Sequence, residues 1–126
     1  MTIGIQSDLE DILKHALPDD CEMVGDEHIA HVADAAVNGR SFDDAFDITS
    51  RGKEITSIEI LRELLLVAQI SLLLIQIAQA SKSGEDFKKR SEEQKPKIAK
   101  GVDLDLWKKL LSKITELMDK AATWLK

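Results

Sequence analysis

The residue types best suited to chemistry are three histidines, one cysteine and several paired carboxylates. His28 and His31 lie three apart, with Asp26 and Glu27 just before them and Asp34 three further on. Positions i and i+3 share a helix face, so both imidazoles can reach one metal ion, and Cys21 can fold back as a further ligand. The spacing lacks the glutamate that follows the first histidine in His-Glu-x-x-His zincins. His28 and His31 are therefore candidate ligands for one alternative reading, not an assigned metal centre. His15 stands by itself and reads as a surface residue.

The carboxylate pairs are Asp19-Asp20, Glu22 with Asp26, Asp43-Asp44 and Glu92-Glu93. Acid–base catalysis needs two carboxyls converging across a pocket in different environments. Neighbours on exposed turns do not supply that, and helix capping and solubility explain them better. No Asp-x-Asp-x-Asp-Gly calcium loop, no glycine-rich phosphate loop and no Gly-x-Ser-x-Gly elbow occurs. No catalytic residue and no cofactor are expected.

These residues must be held by some scaffold, and 126 residues are enough for one domain with one core. One cysteine excludes an internal disulfide framework and a Cys-only zinc site. Hydrophobic content of 44% beside 32% charged residues suits a folded globular domain. The first residues show neither a basic region followed by an apolar run nor an Arg/Ser-rich leader, and with the lone thiol this leads us to expect a cytoplasmic protein.

The formal net charge of −6 is unevenly spread, with −9 over residues 1–52 and +3 over residues 53–126. Such sorting suits halves that face each other or face different partners. Ten bases fall between Lys82 and Lys113, but acids are interleaved with them and Trp107 is the one tryptophan there for stacking. Nucleic-acid footprints are more basic than this. No nucleic-acid partner is expected.

Hydrophobic periodicity sets out the elements. Ser7-x-x-Glu10 has the form of a capping box, with Leu9, Ile12, Leu13, Ala16 and Leu17 at helical spacing behind it. A helix is expected over 7–17, stopped by Pro18, with a turn and loop over 18–22. Ile29, Val32, Ala33, Ala36 and Val37 define a second helix over about 26–37, closed by Asn38-Gly39. A short third helix is expected over 41–50, where Phe42, Ala45, Phe46 and Thr49 share a face.

The dominant stretch runs from Glu54 to Ala80 without Gly or Pro. From Leu64 to Ala80 it holds 17 residues with no charge. On a helical wheel Glu59, Arg62, Gln69 and Gln76 cluster within about 100° and the rest is apolar, which predicts a central helix buried on most sides. A span needs about 20 apolar residues, and this run is shorter and carries glutamines, so a bundle core is the better reading. Residues 81–102 read as a charged, mobile segment in which a solvated helix gives way to a linker at Pro96. A final amphipathic helix over 103–126 carries Leu104, Trp107, Leu110, Leu111, Ile114, Leu117, Met118, Ala121 and Leu125 on one stripe, with Asp103 as its cap.

The expectation is an all-α protein, an irregular bundle of five or six helices around one long buried central helix, in a single domain. With catalytic signatures absent, the expected function is a non-enzymatic protein–protein interaction module, namely an adaptor, inhibitor or regulatory domain. Small acidic helical inhibitors share this general composition, but no motif ties the chain to a family. Its acidic first half suits a basic protein partner. Phe42, Asp43, Asp44, Phe46 and Asp47 are the expected partner-binding residues, aromatics beside acids on a short helix. A membrane-acting or oligomer-forming protein using the apolar run 64–80, and a metal-dependent protein using His28 and His31, are the alternatives. A homo-oligomer follows if the short helices leave part of the central helix uncovered.

Overall fold

The structure, a computed structural model, describes residues 2–41 and 55–120, with side chains over 5–41 and 58–120. The expected helix over 41–50 and Trp124 lie outside those residues. The described residues form six helices and no strand: α1 (Thr2–Ala16), α2 (Pro18–Val24), α3 (Asp26–Val37), α4 (Ile55–Gln79), α5 (Gly84–Ile98) and α6 (Leu104–Asp119). They make an all-α helical bundle, as the periodicity implies.

Helix α4 is the post of the bundle. Its 25 residues extend about 37 Å, and it packs against each of the other five described helices. Helix α1 closes the back of the molecule by packing on α3 and α6 as well as on α4, and α5 pairs with both α4 and α6. The core is drawn from all six helices. Leu9, Ile12 and Leu13 of α1, Ile29 and Val32 of α3, Leu64, Leu74 and Ile75 of α4, Phe87 of α5, and Trp107, Leu110 and Ile114 of α6 are all buried.

Several boundaries differ from the sequence expectation, each for a physical reason. Helix α1 begins at Thr2, five residues before the expected start, so Ser7 and Glu10 lie inside the helix and form no cap. Pro18 does not open a loop. It occupies the first turn of α2, where its missing N–H is one of the donors a helix leaves unpaired in any case. Leu17 bridges the two helices, its N–H bonding the Leu13 carbonyl and its own carbonyl accepting from Cys21. Gly25 then joins α2 to α3 at φ 89°, a conformation that strains any residue with a Cβ.

The segment 84–98 is one helix through to Ile98, with Pro96 inside it. Phe87 and Ser91 bury one face of this helix, so the expected linker at Pro96 is absent. Its start is signalled locally. Ser83 adopts an extended backbone, and its hydroxyl accepts from the Asp86 N–H at 3.2 Å. The Asp86 carboxylate accepts in turn from the Lys82 N–H and from Arg90 Nε, both at 3.0 Å. Those bonds, the Lys82 amide foremost, hold the Asp86 carboxyl below the usual aspartate range. Gly84 fits because α5 begins against α6. A Cβ there would stand 3.1 Å from Thr115 Cγ2.

Helix α6 starts where expected, with the Asp103 carboxylate accepting from the Leu106 N–H at 3.3 Å. Trp107, Leu110, Leu111, Ile114 and Leu117 are buried, but Leu104 is an exception to the expected stripe and stands exposed in the first turn. Ala35 of α3 and Ser71 of α4 are buried without having been marked by the periodicity. The Ser71 hydroxyl donates to the Val67 carbonyl one turn back at 2.8 Å, which satisfies it within its own helix.

Candidate interaction surface

The histidines sit on α3, as the spacing implies, and both are exposed. The His28 Nδ1–H donates to the Val24 carbonyl at 2.8 Å, tying the ring to the end of α2. Asp34 does not extend their face into a ligand set. Its carboxylate accepts from Asn38 Nδ2 at 2.9 Å and lies 4.0 Å from Arg40 Nη1. Cys21 is buried on α2, and burial, reinforced by the Asp20 carboxylate, pushes its thiol up to about 11. A protonated thiol is a poor metal ligand. Among the described residues no group of three or more His, Cys, Asp or Glu is placed to hold a metal ion. The structure therefore does not bring Cys21 and Asp34 to the histidines as a site.

The carboxylates are likewise placed at helix ends and surfaces. Asp26 opens α3 and pairs with Lys14 of α1 at 3.4 Å. Around this pair lies a shallow open depression lined by Lys14, Pro18, Cys21, Glu22, Asp26 and Ile29. Glu63 of α4 hydrogen-bonds the Asp20 carboxyl of α2. Loss of water around the Glu63 carboxyl, and then the Asp20 charge, raise its pKa above the usual glutamate range. Acidic side chains thus crowd the α2–α3 end, with Asp19, Glu22 and Glu27 exposed beside Asp26.

Phe42, Asp43, Asp44, Phe46 and Asp47, the expected partner-binding residues, lie outside the described residues. The surface feature that the structure does show is on α4. Leu66 is 54% exposed and Leu73 40% exposed, on a helix whose other faces are packed. They are seven residues apart, two turns or about 10 Å along the axis. Their neighbours on the same side are Glu59, Arg62, Gln69 and Gln76, all exposed.

The sequence marks this side through its polar residues. What it conceals is that Leu66 and Leu73 fall within the polar arc, because 100° per residue carries both between Glu59 and Gln76 on the wheel. An apolar wheel read residue by residue assigns both leucines to the core. Their spacing, each a heptad from the other and three or four from a polar neighbour, is the signal that places them outside. Met23 of α2 and Leu104 of α6 are also exposed, but each stands singly, as scattered surface apolar residues commonly do.

No helix among the described residues is long and apolar enough to cross a membrane. Comparison with known protein families, with curated proteins and with solved structures gives no match.

Proposed function

We propose that this protein is a non-enzymatic interaction module that binds another protein chain through the outward face of α4. One observation supports the reading above the others. The longest helix of the bundle is packed on every side but one, and that side carries Leu66 and Leu73 in line between polar residues. An apolar core bordered by polar side chains is the composition of a protein contact. A leucine left in water gains when a partner covers it, at about 25 cal/mol per Å² removed from water. The exposed acidic side chains of α2 and α3 suit a basic partner and would speed association with one.

The test is site-directed photo-crosslinking in the cell. Benzoylphenylalanine replaces Leu73, and replaces Lys109 on the exposed side of α6 as a control. The reading expects a discrete protein adduct from position 73 and none from position 109. No adduct from position 73, or the same adducts from both positions, would overturn it.

A further inference from the structure

Helix α2 is the shortest of the described helices, and of its seven residues Cys21 alone is buried. It packs on α1, α3 and α4. Leu17 and Gly25 bound it with non-helical backbone, Gly25 at φ 89°. A side-chain hydrogen bond ties it to α4, between the carboxyls of Asp20 and Glu63. An ionised carboxylate can only accept, so such a bond needs a proton on one partner. With the proton the pair is a bond. Without it, two like charges face each other across the α2–α4 contact.

Nothing nearby offsets that charge. Among the described residues Asp20 is the one charged group that acts on the Glu63 carboxyl, and α1, α3, α5 and α6 add none. Lys14 of α1 is engaged with Asp26 of α3 at 3.4 Å. Arg62 precedes Glu63 directly, and successive residues do not share a helix face. Asp19 and Glu22 of α2 and Glu27 of α3 are exposed and acidic.

We propose that α2 is a proton-dependent latch: a proton shared between Asp20 and Glu63 holds it closed over Cys21, and loss of that proton lets it open and bare the thiol. Opening displaces one buried side chain, so it is a local event short of global unfolding. The sign follows from the pair. The closed latch holds the proton more tightly than the open one, so closure is favoured below the ordinary glutamate value, near about 4.3. It weakens as pH rises through the raised value.

Cys21 is the single cysteine of the chain, so thiol labelling reads the latch directly. The probe is a dipyridyl disulfide, which reacts with thiols in acid as well as at neutral pH. Glu63→Gln is the reference, because its amide offers Asp20 a donor at every pH. The ratio of the unchanged chain's rate to that of Glu63→Gln cancels the ionisation of the thiol. It also cancels any titration of His28, which holds the Val24 carbonyl at the end of α2 at 2.8 Å. The ratio is expected near one at about pH 4 and at least about threefold at about pH 7.5. A ratio that stays flat overturns the latch. Glu63→Ala has no donor at any pH and is expected to label faster than Glu63→Gln throughout, and equal rates overturn the bond as its cause. Helix content by circular dichroism is expected to be the same at both pH values. A loss of helix that tracks the labelling overturns local opening.

Discussion

The indole N–H of Trp107 on α6 donates to Glu92 Oε2 on α5 at 2.8 Å, and Lys95 Nζ lies 5.7 Å from the centre of the same ring. Trp107 is buried, so the bond satisfies a donor that would otherwise be shut away from water. It also locks α5 to α6 at the level where Pro96 interrupts the hydrogen bonding of α5. Replacing Glu92 by Ala should cost about 1–3 kcal/mol in denaturant unfolding, the cost of an unpaired buried donor. Replacing Glu92 by Gln keeps an acceptor and should cost less than about 1 kcal/mol. Equal losses for the two variants would show that the bond itself contributes nothing.

Ser91 and Ser71 are both fully buried serines inside helices, yet they differ in one respect. The Ser71 hydroxyl bonds the carbonyl one turn back, whereas Ser91 Oγ has no partner. Ser91→Ala removes an unpaired hydroxyl and should stabilise the protein by up to about 1 kcal/mol, while Ser71→Ala should leave stability unchanged or lower it. Thermal melts of both variants decide it. A lower melting temperature for Ser91→Ala would mean that the hydroxyl is satisfied after all.

Glu63 and Asp20 bring two carboxyls together across α4 and α2, and loss of water and then the Asp20 charge raise the Glu63 pKa. Because the folded value lies above the unfolded one, the favourable contribution is fully present below the unfolded value, near about 4.3, and is lost as pH rises through the folded value. At neutral pH the pair therefore works against the fold. Glu63→Gln should raise the melting temperature at pH 7, and the gain should vanish below about pH 4. Asp86 and Glu116 have pKa values shifted the other way, the latter first by its hydrogen bond to Lys120. Their contributions are lost as pH falls, but they are common to both proteins and cancel in the difference. A less stable Glu63→Gln variant at pH 7 would contradict this account.

Cys21 should be slow to alkylate. Its thiol is pushed up to about 11 by burial, so its thiolate fraction at neutral pH falls about 100-fold below that of an unfolded chain. The folded value is again raised, so this stabilising contribution is present below the unfolded thiol value and disappears as pH climbs towards 11. Iodoacetamide labelling in buffer and in denaturant provides the measurement. Equal rates in the two would mean that Cys21 is accessible in the fold.

Much of the bundle was legible in the sequence because periodicity reports burial directly. The stripes Leu9-Ile12-Leu13 and Trp107-Leu110-Leu111-Ile114 are core in the structure, and the uninterrupted run of α4 is its longest helix. The prolines are harder to read: Pro18 stops α1 as expected, but the loop expected after it is helix α2, and α5 runs through Pro96, where the sequence suggests a break. Pro18 sits at a helix start, where its ring costs nothing, and Pro96 is tolerated in the last turn of α5, which Phe87 and Ser91 anchor by burial. The surface was harder to read than the core. Leu66 and Leu73 are the same residue type as their buried neighbours, and only their place within the polar arc from Glu59 to Gln76 marks them as the leucines left outside. The expected site over 42–47 lies outside the described residues.

The account rests on α4 being a packed post with one open side, and cysteine scanning along that helix measures this most directly. Single cysteines at Leu66, Gln69, Leu73 and Gln76, and near-isosteric ones at Ala68, Ser71 and Ala78, are labelled with a maleimide at protein concentrations low enough to separate any pair. The first group should react within about tenfold of the unfolded chain, and the second at least about 100-fold more slowly. Protection at 66 and 73 equal to that at 68, 71 and 78 would mean that α4 is covered all round, and the proposed interaction face would not exist.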